Sequence, residues 1–375
     1  MRFSDIPGLS EVKSLLTEAV KSSHSAHAQL FAGAPGALNL PIAIAFATYL
    51  HCENRGGGAC GTCAACSKNL KYIHPDTHFV FPLSNVKADK DEERFRAEIM
   101  KSWRAFLLEQ PFGNLDDWTA FYGGEDKQAL ISREESREII KTLSLKPFES
   151  KYKVMIIWQP ELMHPSAANG ILKILEEPAS HTFFILVSNA ADKLLPTILS
   201  RTQIVNIPLL PDDTLGNFLK QNNLAEKDRI PKILQLADGN LNLSLKLLEG
   251  EENDNTTFFV NWMRSCFARK YAALIDKAEE YHAMDKLNQK NLMIYSINMI
   301  RETLLHRSGA TAINRTQGEE LKFVQDFSTV MDLEKIENSF RLINDASYHL
   351  ERNGSPKMIF LDLSLQIANT LNPES

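Results

Sequence analysis

Cys52, Cys60, Cys63 and Cys66 fall within 15 residues, two C-x-x-C intervals following a wider one that encloses Gly56, Gly57 and Gly58. Four thiolates so close can fill the tetrahedral shell of a zinc ion, and the glycines let the chain fold back so that they converge. A closed four-sulfur shell keeps no position for water, so the metal expected here is structural. His51, His74 and His78 are near enough in sequence to be alternative ligands, but four sulfurs suffice. Cys266, beside Phe267 in a helical stretch, reads as a buried apolar filler.

A second stretch has the outline of a phosphate loop without its chemistry. Such a loop needs G-x-x-x-x-G-K-[ST] between a strand and a helix, because amides cradle the phosphates, lysine neutralises them and the hydroxyl holds magnesium. Gly33-Ala34-Pro35-Gly36-Ala37-Leu38-Asn39-Leu40 keeps the strand, the first glycine and the helix. Leu38, Asn39 and Leu40 stand where glycine, lysine and serine or threonine are required, so hydrolysis is not expected here. The strand Val154 to Ile157 runs into Trp158-Gln159, where a nucleotide hydrolase would carry an acidic pair for metal and water. Both catalytic halves are missing in register, as expected of a nucleotide fold turned scaffold. Arg201, in Leu195-Pro196-Thr197-Ile198-Leu199-Ser200-Arg201-Thr202, could reach a γ-phosphate on a neighbouring subunit as an arginine finger in trans.

These residues need elements to hold them. Gln29 to Gly33 reads as a strand entering the loop, followed by an Ala-rich helix from Pro41 to Leu50. Val154 to Trp158 and Phe183 to Ser188 are continuous apolar runs, as in strands buried on both faces of a parallel sheet. Ser166 to Glu177, closed by Pro178, is a helix between them, which makes a βαβ unit and predicts a helix-flanked parallel sheet. A last short strand, Gln203 to Ile207, ends at Pro208. Beyond it the periodicity is helical: Leu215, Phe218 and Leu219 share a face, and Glu251 to Asn255 is a polar break. Leu292 to Leu305 and Lys357 to Leu371 are helices, the latter with Met358, Leu361 and Leu365 at helical spacing. The expected organisation is 1–207 as an α/β domain, with the cysteine module at 52–66 and an insertion over about 84–130. A helical segment at 208–252 and a helical domain at 253–375 follow. The insertion carries the charged run Lys87 to Arg96, then Trp118, Phe121 and Tyr122, and reads as a helical hairpin or loop.

Composition narrows the class. The chain has 375 residues, 44% hydrophobic and 23% charged, and a net charge of -6, which argues against a disordered chain or one that binds nucleic acid with its whole surface. The longest apolar run, Leu40 to Leu50, falls short of the roughly 18 residues a membrane helix needs. An acid and a Pro-Gly turn near the N-terminus replace the apolar core of a secretory signal, so a cytoplasmic location is expected.

In this order, the pieces resemble the delta-prime family of bacterial DNA polymerase III clamp-loader subunits, in the AAA+ superfamily. The matching residues are His27 to Phe31, the four-cysteine insertion, His74-Pro75-Asp76, Ser132 to Arg137 before Leu145-Lys146-Pro147, Ala168 to Pro178, and Leu195 to Arg201. The resemblance covers about residues 5 to 207; the rest matches in helical character and length. It implies a structural zinc and a helical lid, with an all-α C-terminal collar for ring assembly. It also implies a subunit that does not hydrolyse ATP but works within a polymerase holoenzyme. Arg201, with Ser200, would serve the ATP site of an adjacent motor subunit; Thr202 stands where the family has cysteine. Implied partners are motor ATPase and delta-type subunits, and through the complex the sliding clamp and primed DNA. The segment Gly239 to Leu245 aligns with the lid region where active members carry a second sensing arginine, and it has none. Two rival readings are a gamma/tau-type motor, which Leu38, Asn39, Leu40, Trp158 and Gln159 oppose, and a zinc-containing DNA-binding protein. For the latter, Arg55, Lys68 and Lys71 make too short a phosphate track.

Overall fold

The structure, a computed structural model, describes residues 1–84, 92–124, 128–144, 146–226, 229–249, 255–351 and 354–372. Glu251 to Asp254 of the polar break, Leu145, and the start of the charged run at Lys87 lie outside the described residues. The chain divides into two compact units, Met1–Asn223 with Asp238–Leu243, and Leu224–Ala237 with Ser244–Ser375.

The first unit is built on five parallel strands, β1 (Ala28–Ala32), β2 (Thr77–Val80), β3 (Lys153–Trp158), β4 (Thr182–Ser188) and β5 (Gln203–Asn206), in the order β2-β3-β4-β1-β5. Every residue of β1, β3 and β4 is buried, as their unbroken apolar runs predict for strands covered on both faces. The flanking helices are α1 (Ser10–Lys21), α2 (Asn39–His51), α3 (Ala64–Leu70), α4 (Glu92–Glu109), α5 (Leu115–Phe121), α6 (Arg133–Ser144), α7 (Pro165–Glu176), α8 (Pro196–Leu199) and α9 (Asp212–Gln221). On one face of the sheet Leu30, Met155, Ile157, Phe184 and Leu186 pack with Ile139 and Leu143 of α6 and Ile171 and Leu175 of α7. On the other, Phe31 and Phe183 meet Phe46 of α2 at ring distances of 6.0 and 6.5 Å. Helix α2 is buried along its whole length, which explains why its run Leu40 to Leu50 shows no polar face.

The inserted stretch contributes two helices, α4 and α5, and its aromatics join a cluster at the end of β3. Trp103 of α4 stacks on Phe81 at 4.2 Å and lies 5.3 Å from Trp158 at the end of β3, while Trp118 of α5 meets Trp103 edge-on at 4.9 Å. Trp158 is therefore a packing residue, 3% exposed, seated against the insertion.

The second unit is all helical: α10 (Ile230–Ala237), α11 (Leu241–Glu249, entered from the first unit), α12 (Asn255–Phe267), α13 (Tyr271–Ala283), α14 (Lys286–Arg307), α15 (Gly318–Val330), α16 (Leu333–Glu351) and α17 (Pro356–Leu371). Trp262, Tyr281, Tyr295 and Phe360 sit in one core, with the Trp262 indole donating to Ser364 Oγ at 2.8 Å. Cys266 is fully buried beside it, as its apolar surroundings predict. On α17 Met358 is 62% and Leu365 36% exposed, while the helix packs through Phe360, Leu363, Ile367 and Leu371, with Leu361 partly buried against the same core. Both sets fit helical spacing, and the packing of α17 against α13 and α16 decides between them.

Candidate functional site

The four cysteines come together. Cys52 caps the C-terminus of α2, Cys63 caps the N-terminus of α3, and the glycine-rich turn between them returns the chain. Their four sulfurs all lie within 4.8 Å of one another, with Cys60 Sγ and Cys66 Sγ 3.9 Å apart. Tetrahedral zinc with bonds of about 2.3 Å needs sulfurs about 3.8 Å apart, so the donor set fits such an ion. Amides point at the sulfurs: Cys60 N–H donates to Cys52 Sγ at 3.2 Å, Cys63 N–H to Cys60 Sγ at 3.4 Å and Cys66 N–H to Cys63 Sγ at 3.4 Å. The backbone N–H groups of Thr62 and Cys63 bring the Cys60 thiol down to about 6, whereas burial pushes those of Cys52 and Cys66 up. A cation bound among the four sulfurs would stabilise their thiolate forms, and the amides that point at them are placed to help. Among the described residues no histidine joins the cluster. His51 Nδ1 instead pairs with Ser150 Oγ at 2.7 Å, and its ring stacks on His74 at 4.1 Å.

Next to this module, His74-Pro75-Asp76 proves to be an anchor. Asp76 is 1% exposed, and its carboxylate accepts from the N–H groups of Phe148, Glu149 and Ser150 at 2.5, 2.9 and 2.8 Å. Burial alone would raise its pKa, but these three amides overcome that and hold it below the ordinary 3.8. A carboxylate whose folded pKa is depressed stabilises the protein above its unfolded pKa, and that contribution disappears as the pH falls through the folded value. Asp76→Asn is therefore expected to cost about 1–3 kcal/mol in urea unfolding near neutral pH. The gap between variant and wild type should narrow as the pH falls below the ordinary 3.8 and through the folded value. A gap that stayed constant over that range would assign the loss to shape alone.

The phosphate-loop outline is held by asparagines. Gly33 passes so close to the end of β5 that a Cβ would lie 2.4 Å from the Ile207 carbonyl oxygen, and Gly36 has φ +92° with Asn240 packed on it. Asn39, at the lysine position, is 1% exposed and donates to the Ser188 carbonyl at 2.8 Å. Asn189 Nδ2 donates to the Ala34 carbonyl at 3.0 Å, while its Oδ1 accepts from Gln159 Nε2 at 2.7 Å. Gln159, at φ +56°, thus ties the end of β3 to the end of β4 beside the loop. Leu38 and Leu40 are buried. Sequence reasoning missed Asn189 and Asn240. For Asn189 the available signal was position: a polar residue just past the carboxyl end of a parallel strand sits where such sheets hold ligands.

Arg201 follows α8 by two residues, with Ser200 as the cap between them. Its Nε donates to Glu176 Oε1 at 2.6 Å, from the last turn of α7, and its Nη1 donates to the Thr197 carbonyl at 2.9 Å. The side chain keeps 30% of its surface exposed. Thr202 turns its hydroxyl back to the Ile198 carbonyl at 3.1 Å, so it serves the turn and leaves the guanidinium alone.

Residues 8–211 match the family model described as "DNA polymerase III, delta subunit". The chain is 26% identical over 243 residues to the DNA polymerase III subunit delta' of Bacillus subtilis (strain 168), covering 65% of this chain and 59% of that protein. It is 25% identical over 266 residues to the DNA polymerase III subunit gamma/tau of Mycobacterium tuberculosis (strain ATCC 25618 / H37Rv), covering 68% of this chain and 39% of that one. It thus spans less than two thirds of either relative. Among solved structures it aligns with a DNA polymerase III gamma subunit-related protein of Thermotoga maritima at TM-score 0.41 and 14% identity, over 94% of this chain and 99% of that one.

Proposed function

For a chain that belongs to the DNA polymerase III, delta subunit, family, we propose the role of a delta-prime-type clamp-loader subunit, which turns over no ATP of its own and lends Arg201 to a neighbour. The observation that carries this reading is Asn39. Where a phosphate loop needs a mobile cation, this chain has a buried amide spent on the Ser188 carbonyl. Trp158 and Gln159 support it, since the positions for metal-binding acids are given to an aromatic core and a brace. Arg201, by contrast, stays partly exposed. No helix among the described residues is long and apolar enough to cross a membrane.

In this reading 208–252 is the lid and 253–375 the collar through which the chain joins a hetero-oligomeric ring in the cytoplasm. Exposed apolar residues such as Leu333 (60%) and Phe340 (44%) on α16 suit such an assembly surface. Its partners there are motor and delta-type subunits, and the complex places the sliding clamp on primed DNA. The cysteine cluster holds one structural zinc. The deciding experiment is ATP hydrolysis by the reconstituted loader, stimulated by clamp and DNA, with wild-type chain or Arg201→Ala, alongside the isolated chain with MgATP. Turnover by the isolated chain would favour a gamma/tau-type motor.

A further inference from the structure

Arg201 is gripped from two directions within its own chain. Its Nε and one terminal nitrogen both point at a single oxygen of Glu176, the last residue of α7. Its Nη1 is drawn to the Thr197 carbonyl at 2.9 Å and to Ser200 Oγ at 3.3 Å. The first contact crosses 25 residues of sequence and links two helices; the second is local to the turn after α8. Among the described residues Glu176 accepts no hydrogen bond except from Arg201, and its side chain is 48% exposed. It is therefore not a core residue whose removal collapses the helix.

We propose that Glu176 is a positioning residue for Arg201, aiming the guanidinium fork towards the neighbouring ATP site; this rests on the trans-acting reading of Arg201 given above. An arginine has four rotatable side-chain torsions, and a finger left to explore them would lose rotamer entropy each time it met a phosphate. Contact with Nε along one edge, and with Nη1 at the base, stiffens the side chain before the phosphate arrives and leaves an outer donor of Nη2 for it. The carboxylate also offsets positive charge, which opposes catalysis. At an exposed pair solvent screens that effect, while the orienting effect survives screening because it is geometric. Orientation therefore prevails, and removing Glu176 slows turnover.

The test is steady-state ATP hydrolysis by the reconstituted loader carrying wild type, Glu176→Ala, Glu176→Gln, Arg201→Ala, or Glu176→Ala with Arg201→Ala, each after assembly has been confirmed. Glu176→Ala is expected to lower kcat about fivefold, in line with the worth of an exposed ion pair, with KM for ATP unchanged. Glu176→Gln keeps a carbonyl oxygen for Nε and should recover most of that loss; it also stands in if the alanine variant fails to assemble. The double variant should be no slower than Arg201→Ala alone. The proposal is overturned if Glu176→Ala turns over at the wild-type rate or faster, or if it slows an enzyme that already lacks Arg201. A wild-type rate with Arg201→Ala refutes the trans-acting reading itself, and that arm is read independently of Glu176.

Discussion

Cys66→Ser is expected to yield a chain that no longer retains zinc and is less stable by about 2–4 kcal/mol. Cys66 is the ligand with most to lose. It is fully buried, and burial pushes its thiol up, so its thiolate depends on a neighbouring cation. A serine hydroxyl in the same place stays protonated and gives the metal no anionic donor. Three thiols would remain without the ion that drew them together, and the turn from Cys52 to Cys63 would lose what closes it. In zinc-finger peptides metal binding supplies most of the folding free energy. Here the module is attached to a sheet that buries its own core, so the cost is bounded by opening the turn and α3 rather than by unfolding the unit. Elemental analysis of the purified chain should give about one zinc for wild type and for Cys266→Ser, and none for Cys66→Ser. Urea unfolding should show a loss in both variants, in Cys266→Ser because a hydroxyl enters an apolar core, but only in Cys66→Ser should it go with loss of the metal. A wild-type chain that is folded and free of metal would refute the zinc assignment. Because the shell is closed, assembled Cys66→Ser loaders should hydrolyse ATP at nearly the wild-type rate per complex.

Why some of this could be read from the sequence and some could not comes down to the range of the interactions. Strands β3 and β4 were legible because burial on both faces writes itself as an unbroken apolar run. The cysteine module was legible because its ligands are close in sequence, and the spacing alone brings them together. Strand β2, Thr77-His78-Phe79-Val80, was not: it is an edge strand of four residues, half polar, and pairing with β3 makes it a strand. Asp76 belonged to a recognised motif, but its work is done 72 to 74 residues away, on three amides that no pattern in the sequence announces. Asn240 reaches Gly36 in the same way. The helix of α17 was legible but its buried face was not, because apolar residues occupy most of its circumference and periodicity alone could not pick the side that packs.

Arg201→Ala is expected to lower clamp- and DNA-stimulated ATP turnover of the assembled loader on the order of 10³-fold, at the lower end of what arginine fingers contribute to phosphoryl transfer. The lower end is argued from geometry. The guanidinium is already shared with Glu176 and Thr197, so part of its donor capacity is spent before a phosphate arrives. Arg201→Lys should rescue only partly, because an ammonium carries the charge without the planar fork that can hold Glu176 and a phosphate together. Ser200→Ala should cost little, since Ser200 Oγ stands 3.3 Å from Nη1 beside a stronger carbonyl acceptor. Thr202→Cys should be close to silent, because its hydroxyl serves only the carbonyls of Ile198 and Leu199. Stability separates the readings further. An ion pair this exposed is worth about 1 kcal/mol at most, so Arg201→Ala should unfold nearly as wild type does. Large loss of turnover with small loss of stability is the signature of a residue that serves the reaction rather than the fold, and the absence of turnover by the isolated chain would place its action in trans. Unchanged turnover with intact assembly would leave Arg201 as a surface partner of Glu176, and this chain as a scaffold that shapes the ring without touching its chemistry.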